Sequence, residues 1–510
     1  MIKNLKWLLL VSLSFAACNN NDDDLTPAPI PVVSGTANFA KYVALGDSFA
    51  AGYSDAALFK KGQEGSYANI LSQQFALAGG GTFSTPFMSD NVGGFSVSGA
   101  QSAAYPTRLI FNLATSSPVN VPGVTTTVLG SAATGGPFNN FGVPGAKSFH
   151  LITPGYGTLN PYFGRFAKTT NSTVLGDATD ASVKAHTFFS LWIGGNDVLT
   201  YATSGGVGVN RTGNSNVSQY QITDITDPAA FAGAYSALVN GLTANGAKGV
   251  VANIPYITGL PYFTTVPTSP FSPTALGGSA GIAQINGLYS LLRAALGADA
   301  DRIKLLTATT ASPALIKDKS IADRSAQMIP TLTAVFQSQG DPNAATNAAI
   351  FASIFGQARQ AVAGDFILLP TRGVLGTAPA GAPASINKFG VTFPLQDEHV
   401  LTADESSQVR VATDAYNISI KSIADAKGLA FIDVKVLLND LSTTGIVSNG
   451  FTLTSAYAVG GMFSLDGVHP SPRGYALIAN VFSEAINLKF GSTLPKVDVG
   501  KYSVLFPATL

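Results

Sequence analysis

The chain has 510 residues, of which 46% are hydrophobic and 11% charged, with a formal net charge of +0. That much apolar material excludes a disordered chain, and so sparse and balanced a charge leaves no electrostatic footprint for nucleic acid or an anionic membrane surface. Ser, Thr, Asn, Gln and 53 Gly supply the polarity instead, a composition that fits a loop-rich secreted or surface-exposed protein.

At the N-terminus, Lys3 and Lys6 precede an apolar run from Trp7 to Ala17. The run is too short to span a bilayer and has the length of a signal-peptide core, so residues 1–17 are set apart from the fold. Ala16 and Ala17 stand directly before Cys18, the only cysteine, and this resembles the lipobox of bacterial lipoproteins. The resemblance makes Cys18 the lipidated N-terminus; an ordinary cleaved signal with an incidental cysteine is the alternative. Residues 18–37 read as an extended tether, polar from Asn19 to Asp24 and proline-rich from Thr26 to Pro31. The run Asp22-Asp23-Asp24 resembles the surface-export signals of Bacteroidetes lipoproteins, and serves equally as a solvated spacer.

The folded part is expected over residues 38–493, with 494–510 as an extension. Tyr42 to Leu45 reads as a buried strand that Gly46 breaks just before Ser48. Ser66 then caps a helix carrying Tyr67, Ile70, Leu71 and Phe75. Residues 81–137 lose all periodicity and read as an irregular or β-rich insertion. Thr187 to Ile193 is a continuous apolar run with the two-sided hydrophobicity of a central parallel strand, ending in Gly194-Gly195-Asn196-Asp197. Asp227-Pro228 opens a helix, and the strand Gly249 to Ile254 follows.

A second insertion, residues 256–394, holds an amphipathic helix (Ile282, Ile285, Leu288, Tyr289, Leu292) and an Ala-rich segment, together expected to form a cap. Thr402 and Glu405 make a capping box for a helix that ends at Gly428, before the strand Leu429 to Val434. The last helix follows Pro470. Strands alternating with helices predict a three-layer α/β/α fold around a parallel sheet.

A serine is inert until a base removes its proton, so the chemistry turns on which histidine reaches Ser48. His469 is the candidate: Asp466 lies close enough in sequence to fold back onto its ring, leaving Nε2 free as base. Acyl transfer also needs donors for the oxyanion, and Ser48 and Gly142 through backbone N–H groups and Asn196 through its side chain stand at strand ends. His399 is a competing base for which a surface or insertion-lining role is favoured, while His150 and His186 read as structural. Asp47 and Asp197 read as scaffold hydrogen-bonders. Nothing in the histidine and cysteine spacing asks for a metal or another cofactor.

Four blocks, Gly46-Asp47-Ser48, Asn140-Phe141-Gly142, Gly194-Gly195-Asn196-Asp197 and Asp466-Gly467-Val468-His469, resemble those of the SGNH (GDSL) hydrolase family of serine esterases and lipases. The resemblance implies a flavodoxin-like sheet, nucleophile Ser48, oxyanion donors Ser48, Gly142 and Asn196, and an Asp466–His469 relay. It covers the α/β scaffold and leaves substrate choice to the two insertions. Ala50 stands where the second glycine of a G-x-S-x-G elbow would be, which argues against an α/β-hydrolase. The function expected is therefore a carboxylic ester hydrolase working through an acyl-enzyme on a small-molecule, glycan or lipid ester, as a monomer anchored by its lipid to the bacterial outer membrane and extracytoplasmic. A glycan acetyl esterase and a catalytically silent surface binding protein are the rivals.

Overall fold

A computed structural model describes residues 31–180 and 185–510. The segments expected to be a signal peptide and, for the most part, a tether lie outside the described residues, Cys18 among them. Five strands form one sheet: β1 (Tyr42–Gly46), β2 (Asn140–Gly142), β3 (Phe188–Trp192), β4 (Lys248–Ala252) and β5 (Ala430–Ile432). Their spatial order is β2-β1-β3-β4-β5, and every pairing is parallel. All residues of β1 and β3 are buried, the condition of strands covered on both faces, and this is why they read as continuous apolar runs.

The main helices, with the short one that carries Ser48, are α1 (Ser48–Ala51), α2 (Tyr67–Ala76), α3 (Asn196–Thr203), α4 (Pro228–Thr243), α5 (Gly278–Leu296), α6 (Ser325–Ser338), α7 (Ala344–Phe355), α8 (Ala403–Ala426), α9 (Val434–Thr443) and α10 (Pro472–Phe490). Helix α10 packs on α2 and on β5, and α8 packs on α4. Their starts follow the expected capping chemistry, each cap contributing about 1 kcal/mol. Ser66 accepts from the Asn69 N–H at 3.2 Å, Asp227 from those of Ala229 and Ala230, and the Glu405 carboxylate from the Thr402 N–H at 2.8 Å. Among the described residues no helix is long and apolar enough to cross a membrane.

The first insertion folds as two small hairpins, Ser96–Val97 with Ala100–Gln101 and Leu109–Asn112 with Ser117–Asn120. Its Arg108 is fully buried beside the rings of Phe59 and Phe506 and donates to the Asn91 and Pro507 carbonyls at 2.8 and 2.6 Å. The C-terminal extension is thereby pinned back over this insertion.

The second insertion closes on an apolar core of its own between Val266 and Val400, with Tyr289, Leu292, Leu332 and Phe355 fully buried from α5, α6 and α7. Arg359 stitches it together, pairing with Asp365 through two nitrogens at 2.6 and 2.8 Å and with Asp318 at 2.6 Å.

Candidate active site

Ser48 is delivered by the end of β1. A Cβ on Gly46 would stand 2.4 Å from the Trp192 carbonyl oxygen, so only glycine lets β1 run against β3 up to the turn. Asp47 then caps α1, its carboxylate accepting from the Phe49 N–H at 3.0 Å, and Ser48 becomes the first residue of that short helix. Burial pushes the Asp47 carboxyl up to about 7, against the pull of that hydrogen bond and of His469.

His469 meets Ser48 from the loop before α10, with Nε2 2.8 Å from Oγ. Its Nδ1 lies 2.9 Å from Asp466 Oδ2. The side chains of His469 and Asp466 keep only 14% and 12% of their surface exposed, so their attraction is poorly screened by water. Burial works to raise the Asp466 carboxyl, but the His469 charge, the ring hydrogen bond and the N–H groups of His469 and Val468, each at 2.8 Å, hold it down at about 2. The rings of Tyr53 and Phe49 flank the imidazole at 4.6 and 5.4 Å.

A turn without a sequence signature locks this loop to α1. Asp55 and Ala56 take positive φ values of 50° and 61°, a conformation non-glycine residues hold only when their surroundings enforce it. Here the Ala56 N–H reaches Asp466 Oδ2 at 2.9 Å, while Asp55 accepts from the Leu465 N–H and donates to Ser464 Oγ, both at 3.0 Å. Asp466 is thus held from both sides.

Asn196 opens α3, is buried, and donates one amide hydrogen to the Ala146 carbonyl at 3.0 Å, which leaves the second free to serve the cleft. Gly142 departs from expectation. Its N–H is taken by Asn140 Oδ1 at 2.9 Å, and a Cβ there would fall 2.2 Å from the Ala51 nitrogen. Gly142 is glycine because β2 ends hard against α1; it does not line the cleft. Gly145 does, and neither its N–H nor that of Ser48 meets an acceptor among the described residues. The free backbone donor that this loop brings to the cleft is therefore Gly145, and the repeat of glycine after three residues in Asn140-Phe141-Gly142-Val143-Pro144-Gly145 was the signal available.

The cleft holding Ser48, Asn196 and His469 has a volume of about 850 Å³. Its walls come chiefly from residues 144–162 and 217–222, with Phe149, Tyr156, Tyr162 and Tyr220 prominent. The first insertion adds only Ala104 and Tyr105, and the second adds nothing, so the expected cap does not cover Ser48. The second insertion touches the site through its first turn, where the Tyr262 N–H holds the Gly467 carbonyl at 2.9 Å.

His399 is engaged elsewhere, its Nδ1 accepting from the Gln396 N–H at 3.1 Å. His186 bonds the Leu242 carbonyl at 2.7 Å. His150, however, lines the cleft, stacked on Tyr156 at 4.5 Å with Nδ1 accepting from the Lys147 N–H. Burial and the Lys147 charge push it down to about 4, so it stays neutral. Asp197 accepts from the N–H and Oγ of Ser148, both at 2.8 Å, beside the buried Lys147, and so braces the wall behind Asn196. Among the described residues no three His, Cys, Asp or Glu side chains cluster as metal ligands would. No family model matches the chain, and no curated protein and no solved structure matches it either.

Proposed function

We propose that this chain is a serine ester hydrolase of the SGNH (GDSL) type. The observation that carries the reading is the line from Ser48 Oγ to His469 Nε2, 2.8 Å, and from His469 Nδ1 to Asp466, 2.9 Å. As His469 takes the proton, Ser48 Oγ attacks the ester carbonyl carbon; ionised Asp466 holds the tautomer and stabilises the imidazolium. The oxyanion is met by the Ser48 and Gly145 N–H groups and the free amide hydrogen of Asn196. His469 returns its proton to the leaving alcohol, the acyl group stays on Ser48, and water activated by the same histidine releases the acid.

Further support is the strand order 2-1-3-4-5, which is that of flavodoxin-like doubly wound sheets, with ligands bound at the carboxyl ends of the strands as Ser48 and Asn196 are here. On this reading residues 38–493 are one three-layer domain carrying two insertions. The lipobox-like stretch at Cys18 would tether it, outside the cytoplasm, to the outer membrane.

The test is labelling by a fluorophosphonate and turnover of p-nitrophenyl acetate. Ser48→Ala should abolish both while the far-UV spectrum is unchanged, with turnover falling about 10⁴-fold or more. Retention of a tenth of the activity would exclude Ser48 as nucleophile, and a wild-type chain that neither labels nor turns over would be a binding module.

A further inference from the structure

Behind the catalytic groups lies a second compartment, separate from the open cleft. Its wall is apolar, built from Leu199, Ile254, Leu437, Leu438, Leu441 and Phe463 among others, and Asp47 is the only ionisable residue in it. Its place is distinctive. Asp47 and Phe49, on either side of Ser48, line it; so do Gly195, which precedes Asn196, and Val468 and Pro470, on either side of His469. Leu199 and Val468 face both the cavity and the cleft and are the partition between them.

Protein interiors are packed to crystal density, and an unfilled apolar space costs the fold the contacts its lining atoms forgo. Such a space immediately behind a nucleophile, lined by aliphatic side chains, has the character of a ligand pocket. Its volume of about 50 Å³, set against about 150 Å³ for an apolar cavity that takes up a six-carbon ring, makes room for about two methylenes.

The two compartments differ in what they can release. An alcohol must leave after the first half-reaction, and the wide cleft gives it a way out. A chain held among the aliphatic side chains of the cavity stays in place while water attacks, as an acyl group must. Leu199, on α3, lines both spaces and is only half-buried, so its side chain is the one whose rotamer would have to change for a chain to pass.

Resting on the hydrolase reading, we propose that this cavity receives the acyl chain, and that the substrates are esters of unbranched fatty acids of about four carbons, with C1 at Ser48 and the chain beyond C2 behind Leu199 and Val468.

The experiment takes the full-length protein through p-nitrophenyl acetate, butyrate, hexanoate and decanoate. The expected kcat/KM rises about tenfold from acetate to butyrate and falls by decanoate. Leu437→Trp, which fills the cavity from α9, should lower the butyrate-to-acetate ratio about tenfold, and Leu437→Ala should move the best chain to longer acids. A flat chain-length profile, or a Leu437→Trp enzyme with an unchanged ratio, overturns the assignment. So does a loss confined to butyl acetate, which would put the alcohol in the cavity. If Leu437→Trp fails to fold by its melting temperature, Leu437→Ala carries the same test.

A last arm needs no turnover. Butan-1-ol should raise the Tm of Ser48→Ala, and Leu437→Trp on that background should remove the rise. No rise overturns the cavity proposal, whereas a rise in a protein whose wild type never turns over acetate sinks the hydrolase reading alone.

Discussion

Around Ser48, polar side chains converge from the ends of β1 and β3 and from the loop before α10, and each is held by hydrogen bonds from a different part of the chain. Residues 266–400 are built the other way, as helices and a two-stranded pairing of Leu315–Lys317 with Ala358–Gln360 around Tyr289, Leu292 and Leu332, with their buried charge network at Arg359 far along the chain from Ser48 and His469. The larger addition is therefore self-contained, while short connections at the strand ends, 144–162 and 217–222, wall the cleft. The difference teaches that location at the carboxyl edge of a parallel sheet, more than length of insertion, decides which segments meet substrate.

Changes on the catalytic side of this comparison should cost activity far more than stability. Asp466→Asn should have the largest effect, lowering kcat/KM about 10³- to 10⁴-fold because it removes the charge that stabilises the imidazolium and frees the wrong tautomer. Steady-state kinetics at fixed pH measures it, and a drop under tenfold would make Asp466 a loop anchor only. Asn196→Ala should lower kcat about 10²-fold with a smaller change in KM, since an oxyanion donor acts chiefly in the transition state. An effect confined to KM would make Asn196 a substrate contact.

On the other side the expectation reverses. Leu332 is fully buried in the second core, so Leu332→Ala should destabilise by about 2–5 kcal/mol in a urea melt. Its kcat/KM, per folded molecule, should stay within about twofold of wild type, because the second core supplies no cleft residue. A matching fall in activity would show the two regions to be coupled through Tyr262 and Gly467.

The smallest effect concerns pH. Burial, only partly offset by the Leu465 N–H, pushes Asp55 from its ordinary 3.8 up to about 7, and burial raises Asp47 likewise. An acid with a raised folded value takes up a proton on folding, so its contribution is complete below about pH 4 and is lost as pH rises towards about 7. Tm should therefore decline across that window. Asp55→Asn keeps the acceptor for Leu465, suits a positive φ, and should lessen the decline, with Asp47, Asp197 and Glu405, which burial raises likewise, supplying the remainder. An unchanged slope would show that Asp55 does not titrate there. Asp466 has the opposite sign, its contribution present above about pH 4 and lost as pH falls through about 2.

Much of this arrangement was legible in the chain itself because it rests on local physics. Two-sided hydrophobicity marked β1 and β3; Ser66, Asp227-Pro228 and Thr402 with Glu405 marked helix starts; and a serine and an asparagine just after strands, with an Asp-x-x-His before the last helix, marked the site. Tertiary structure alone decided what depends on contact between segments distant in sequence. It gave the Gly142 N–H to Asn140 and turned Gly145 to the cleft, because β2 ends against Ala50 and Ala51. It drew Asp55 and Ala56 into a strained turn to meet Asp466, more than 400 positions on, a pairing no local periodicity encodes. And it folded residues 266–400 onto themselves, leaving the cavity behind Ser48 to be enclosed by α3, α9 and the loop before α10, three elements adjacent only once the sheet has formed.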